Sequence, residues 1–364
     1  MRVHIQELQE GCILTEDVVS LTNRPIIPNK TILTDELIEL LKAFLIREVK
    51  VQKTLVTGLP FVPSEVIEEE KEQVQQNVST EKTTNLADAF LSATRDYKKE
   101  FTQWQSGLSP DLAKVRSILL PLIEQLDTQS GEIFLFHHLS TEKEYLFQHS
   151  IAVGLLSAFI GKKLNYSKGD IVQLGLAGCL ADCGMAKISP QILNKMGALS
   201  SYEFEEIKKH PTYSYKMIQN SPLLRDAAKI AIFQHHERLD GTGYPLGESK
   251  KIHPFAKIIA VADTFHAMTS ARLYRKKQSP FRVLEKIIED NFGKFDIASI
   301  KALQSGIMNF SIGSKVKLSD GQTAEIVFIE EKSPTRPLIK LVESQTIIQL
   351  EKHRDVFIDE VIKS

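Results

Sequence analysis

Six side chains in this 364-residue chain are of metal-ligating type and recur at similar intervals. In order they are His149, Asp182, His210, the pair His235-His236, and Asp263, separated by 33, 28, 25 and 27 residues. Each interval is about the length of one helix with its connection, so each donor would come from a different helix. Helix bundles build metal sites in this way, with side chains from facing helices converging inward. The neighbours are apolar: His149 precedes Ile151, Val153, Leu155 and Leu156, and Asp263 follows IIAVA. An ionised aspartate in such surroundings is costly unless a cation or partner compensates it. Imidazole and carboxylate together suit Fe, Mn or Zn, and a carboxylate able to bridge suits a two-metal centre. A lone histidine on an apolar helix is more often a hydrogen-bonded core residue, and a His-His pair also arises by chance. The spacing alone leaves both readings open.

The elements that must position these residues read as helical from Leu86 to about Gly306. Leu86, Phe90, Ala93, Tyr97, Phe101 and Trp104 form an amphipathic stripe, which packs either on its own body or on a second copy of the chain as a homodimer. Ser109-Pro110 predicts an N-cap with a first-turn proline, and Ser200-x-x-Glu203 a capping box. Residues 1–62 read as a small α/β module, with strand-like runs at 11–19, 25–33 and 47–52 and a helix from Thr34. Residues 63–85 read as an acidic, polar linker: positions 64–85 hold six acidic and two basic side chains, too little apolar surface to offset chain ordering. Residues 311–364 read as a small β module, with strands at 315–318, 324–329, 339–342 and 347–350 and a hairpin turn at Asp320-Gly321. The fold class is therefore mainly α, a helical body over 86–310 between two small terminal modules.

Composition narrows the function. Lys and Arg number 45 against 46 Asp and Glu, a formal net charge of −1, so no global basic field draws nucleic acid or an anionic membrane. No apolar run approaches the ~18 residues of a membrane span, and MRVHIQELQ at the N-terminus lacks a signal-peptide pattern. Three cysteines (Cys12, Cys179, Cys183) argue against a disulfide framework and for a reducing, cytoplasmic setting.

The run His235-His236-Glu237 followed by Asp240-Gly241-Thr242-Gly243-Tyr244-Pro245 resembles the signature loop of the HD-GYP family, metal-dependent phosphodiesterases acting on cyclic di-GMP. Ordered matches lie on both sides, in YLFQHSIAVG, ADCGMAKI, IKKHP and VADTFHAMTSARLYR, and the similarity covers roughly residues 130–306. The resemblance implies an HD-type helical bundle in a bacterial signalling protein. It implies one or two divalent metals held by His149, Asp182, His210, His235, His236 and Asp263, with Asp182 bridging. It implies in-line attack on phosphorus while cations neutralise the phosphate oxygens. Lys187 would sit near the scissile phosphate as a catalytic residue beside Asp182. Gly243, Tyr244, Pro245, Arg272 and Arg275 would bind substrate, the arginines pairing with phosphate or guanine edges.

Two positions depart from the family pattern. Ala181 stands where the family has the histidine of its name, which leaves one metal with His149, Asp182 and Asp263 from the protein. His266 stands where the family usually has aspartate, on the same helix face as Asp263. Either His266 is a substitute ligand, or the absent aspartate supported the absent histidine and both went when catalysis ceased to be needed. Cys179 and Cys183, four apart, read as buried apolar packing, with a substitute thiolate ligand as the weaker reading. His137-His138 reads as surface or helix end. Three functions stay in view: a cyclic di-GMP phosphodiesterase with impaired or altered activity, an inactive sensor of the nucleotide, and a protein-interaction scaffold.

Overall fold

The computed structural model describes residues 1–19, 25–44, 46–64, 86–129, 132–271, 277–289, 293–308, 310–330 and 333–362. Nearly all of the expected linker, and both Arg272 and Arg275, lie outside the described residues.

The N-terminal part contains β1 (Arg2–His4), β2 (Val18–Val19), β3 (Pro25–Ile27), α1 (Asp35–Ala43) and β4 (Glu48–Lys50), with β1 antiparallel to β4 and β2 to β3. Thr34 caps α1 by accepting from the Leu37 N–H, and Asp35 and Glu36 complement the helix dipole. The strand-like runs over 11–19 and 25–33 are mostly irregular. They are joined by single bonds such as Gly11 N to Leu33 O at 2.9 Å and Leu33 N to Cys12 O at 2.7 Å. Val3, Leu14, Leu33, Leu41 and Val51 form a core of their own, while Ile13 and Val56 pack into the core of the helical body.

That body is built from α2 (Leu86–Gln105), α3 (Leu112–Gln129), α4 (Tyr145–Lys163), α5 (Lys168–Leu180), α6 (Pro190–Leu193), α7 (Ser201–Ile207), α8 (His210–Ile218), α9 (Asp226–Gln234), α10 (Pro254–Thr269), α11 (Pro280–Glu289) and α12 (Ile297–Ile307). Helix α4 is apolar on nearly every face, so it must be enclosed, and it packs on α5 and α10 at the centre. The stripe on α2 is buried in this body, with Leu86, Phe90, Tyr97, Phe101 and Trp104 at most 1% exposed. It is an internal packing face and presents nothing to a second copy. The capping box at Ser200 and Glu203 forms as predicted. Helix α3 is instead capped two residues beyond the expected Ser109, at Asp111. Asp111 accepts from the N–H groups of Ala113 and Lys114, and a carboxylate is the stronger acceptor at a positive helix end.

The C-terminal residues form one antiparallel sheet from β5 (Lys315–Leu318), β6 (Thr323–Phe328), β7 (Leu338–Leu341), β8 (Ile347–Gln349) and β9 (Ile358–Ile362), in the order β8-β7-β6-β5-β9. The Asp320-Gly321 turn joins β5 to β6, with Gly321 at φ 86°. Sequence reading missed β9, whose acidic residues interrupt the apolar alternation. Val316, Ala324, Ile326, Ile339 and Ile358 continue the core of the body. Among the described residues no helix is long and apolar enough to cross a membrane.

Candidate metal centre

Five elements deliver the expected donors to one place. His149 lies within α4, Asp182 just after α5, His210 at the start of α8, His235-His236 directly after α9, and Asp263 within α10. Close backbone approach makes this possible at Gly184, in the 3-10 segment Cys183–Lys187. A β-carbon there would lie 2.2 Å from the His210 carbonyl oxygen and 2.4 Å from the Ser214 nitrogen. Glycine lets α8 cross directly over the Asp182 turn. Ser214 locks the crossing, donating to the Ala181 carbonyl at 2.6 Å and accepting from the Gly184 N–H at 2.8 Å.

Asp182, His210, His235 and His236 each offer a ligand atom, all within 4.8 Å of one another. His210 Nδ1 donates to the Ile207 carbonyl and His235 Nδ1 to the Ile232 carbonyl, both at 2.7 Å. A carbonyl only accepts, so these bonds place the ring proton on Nδ1 and leave each Nε2 as a lone pair in the neutral imidazole. The two Nε2 atoms face each other at 3.2 Å, with Asp182 Oδ1 3.0 Å from one and 3.5 Å from the other. Asp182 Oδ1 is buried and has no hydrogen-bond partner among the described residues. Three lone-pair donors aimed at one another in a buried site fit a cation between them.

The other oxygen of Asp182 faces the opposite side. Oδ2 lies 3.5 Å from His149 Nε2, which is 2.9 Å from Asp263 Oδ1, and His236 Nδ1 is 3.7 Å from Asp263 Oδ2. Burial alone would raise both carboxyls. The imidazoles around them, His210, His235 and His149 at Asp182 and His149 and His236 at Asp263, outweigh it, so both are held below the usual carboxylate range. Burial, reinforced by neighbouring His235, keeps His236 in its neutral, ligating form.

The remaining expectations divide. Lys187 is exposed, its Nζ 3.5 Å from the Trp104 carbonyl, and it does not line the cleft. Met185 does. Side chains three apart eclipse in a 3-10 turn, so Asp182 shares its face with Met185 and not with Lys187. That spacing was visible in the sequence. Lys187→Ala is accordingly expected to leave any reaction at this centre within about twofold of wild type, the size of effect usual for surface changes. A loss of 100-fold in a turnover assay would return Lys187 to the site. Cys179 and Cys183 are buried free thiols, Cys183 pushed up to about 12 chiefly by burial, so neither offers a thiolate. His137-His138 lie at a helix end as expected, in the last turn of the 3-10 segment Glu132–Leu139, but His137 is buried and bonds the Phe134 carbonyl at 2.8 Å. His266 meets His149 at its other nitrogen, Nδ1 to Nδ1 at 3.0 Å, away from the carboxylates.

Beside the donors, Tyr244 lays its ring over His236 with centroids 4.6 Å apart. Gly243 is required by contact: a β-carbon would lie 2.4 Å from the His236 carbonyl oxygen. The Tyr244-Pro245 peptide is cis. Glu237, quoted with the loop but given no role at first reading, anchors it. The 2%-exposed carboxylate accepts from the Leu246 N–H at 2.7 Å and the Glu248 N–H at 2.8 Å. Glu237→Ala strands two backbone donors and is expected to lower stability by about 2–3 kcal/mol, with faster amide exchange confined to 243–248. Unchanged exchange in that stretch would contradict the anchoring role.

All of these donors except the fully buried His235 line a cavity of about 600 Å³ that also reaches Tyr244, Phe204 and Lys195. Cavities of this size accept a small organic ligand.

Residues 135–298 match the HD domain family. The chain is 31% identical over 242 residues to a cyclic di-GMP phosphodiesterase of Pseudomonas aeruginosa, covering 66% of this chain and 58% of that protein. It is 34% identical over 224 residues to a cyclic di-GMP phosphodiesterase of Thermotoga maritima, covering 58% of this chain and 60% of that protein. The chain thus spans about three-fifths of the length of these curated relatives. In fold it matches a solved HDGYP protein from Bdellovibrio bacteriovorus with TM-score 0.51 and 14% identity, over 84% of this chain and 98% of that one. Within the helical body, residues 135–298 thus carry the match to the HD domain family, and the curated relatives aligned with this chain are cyclic di-GMP phosphodiesterases.

Proposed function

We propose that the chain is a metal-dependent phosphodiesterase acting on cyclic di-GMP, working slowly because Ala181 supplies no ligand. The observation that carries this is the cluster of Asp182, His210 and His235 around a buried oxygen with no hydrogen-bond partner among the described residues, with Asp182 and His210 also lining a ligand-sized cavity. Asp182, His210, His235 and His236 would hold one cation, and His149, Asp182 and Asp263 a second, weaker one. A bound divalent cation such as Fe, Mn or Zn supplies Lewis-acid polarisation and neutralises charge on the phosphate oxygens. The chain's own contribution is geometric. His210 and His235 are fixed in their donor tautomers, Asp182 presents one oxygen to each side, and Tyr244 offers an aromatic face at the wall. Arg272 and Arg275 complete the proposed substrate contacts. The buried free thiols accord with a cytoplasmic, reducing setting.

A second reading is a sensor that binds the nucleotide without cleaving it, favoured by Ala181 and by Met185 facing the cleft. The test is turnover of cyclic di-GMP by protein loaded with Mn²⁺ or Fe²⁺, beside calorimetric binding. Product that disappears on chelation supports the enzyme, and tight binding without product supports the sensor. Silence in both leaves a protein-interaction scaffold in a signalling assembly.

A further inference from the structure

Building on the cation reading above, we propose that His266 is a positioning residue that decides whether the His149 side of the centre opens to a second cation. His149 and His266 are each 3% exposed, and their Nδ1 atoms lie 3.0 Å apart. The Tyr145 hydroxyl is 3.2 Å from the same nitrogen of His149, whose Nε2 lies 2.9 Å from Asp263 Oδ1. A neutral imidazole carries one N–H, so His149 has two arrangements here.

With its proton on Nε2, His149 donates to Asp263 and the carboxylate side is closed. Its Nδ1 then takes a hydrogen bond from His266 Nδ1–H. With its proton on Nδ1, the Nε2 lone pair faces Asp263 and Asp182, the form that ligates. The Nδ1–H then needs an acceptor, and His266 Nδ1 is placed to be one. The Ser270 hydroxyl, 3.3 Å from both ring nitrogens of His266, donates or accepts as that ring changes tautomer. An ionised aspartate at this place would only accept, which would lock His149 in its ligating form. An imidazole serves both arrangements. His266 therefore acts through His149, and it addresses the wrong nitrogen to replace a ligand missing at position 181.

The test reads tautomers and zinc affinity, not hydrolysis. In full-length protein labelled with ¹⁵N-histidine, NMR identifies the protonated nitrogen of His149 without metal and with Zn²⁺, while calorimetry measures the weaker zinc site. His266→Asp is expected to shift His149 to the Nδ1-protonated form in the metal-free protein and to tighten the weaker site about 10- to 100-fold, the usual reach of an outer partner of a ligating histidine. His266→Phe, which keeps ring bulk without an acceptor, is expected to weaken that site by a similar factor. Tyr145→Phe is expected to change it less. The inference is overturned if the His149 tautomer and the weaker affinity stay unchanged in both His266 variants, or if the His266 resonances show direct zinc coordination. A protein that binds zinc as described but cleaves nothing would refute the proposed activity and leave this inference standing.

Discussion

Asp182→Ala is expected to abolish cyclic di-GMP turnover and to strip the protein of tightly bound divalent metal. The reason is that Asp182 turns its two oxygens to opposite sides of the centre. Oδ1 meets His210 and His235, and Oδ2 faces His149. Loss of an outer partner typically costs 10- to 100-fold in affinity, so loss of this shared ligand should cost at least about 100-fold. A thermal readout accompanies the chemical one. Metal at 100 times its dissociation constant stabilises a folded protein by about 2.7 kcal/mol, on the order of 5–10 °C in melting temperature. Asp182→Ala should lose that metal-induced rise. Its metal-free form should melt no lower than metal-free wild type, because the change removes a buried oxygen that has no hydrogen-bond partner among the described residues. Retained turnover in this variant would mean that the reaction happens elsewhere.

Ala181→His is expected to act in the opposite direction. Position 181 is 3% exposed at the end of α5, next to Asp182, and its carbonyl is already held by Ser214. An imidazole there would join His149, Asp182 and Asp263 and raise the second set to four protein donors. Turnover should rise at least about tenfold, equivalent to about 1.4 kcal/mol of barrier, alongside a second equivalent of bound metal. Enlarging a packed site costs about 1–3 kcal/mol of stability, so a modest fall in melting temperature is also expected. More metal without more turnover would favour the sensor. No change in either would separate position 181 from the centre.

Much of this site was legible in the sequence because its signals are local. The donors sit in helical segments about one helix apart, and Thr34, Ser200 and Glu203 announce their helices through capping chemistry. What was missed depends on tertiary contact or on helix type. The family resemblance implied Lys187 near the scissile phosphate, but the 3-10 turn after Asp182 brings Met185 to the cleft. Glu237 reads as an ordinary charged residue until the loop over 243–248 folds onto it. His266 was visible as a departure, but which nitrogen of His149 it meets depends on how α4 and α10 pack. Strand β9 is specified mainly by pairing with β5, which no local alternation reveals.

The central claim is that Asp182, His210, His235 and His236 share one divalent ion. Anomalous diffraction from crystals grown with Mn²⁺ tests it directly. The account predicts a strong peak within about 2.0–2.3 Å of a donor atom from each of these four residues, the range of ordinary nitrogen and oxygen ligation. Crystals with no such peak, and with His210 and His235 hydrogen-bonded to each other and to Asp182, would contradict it.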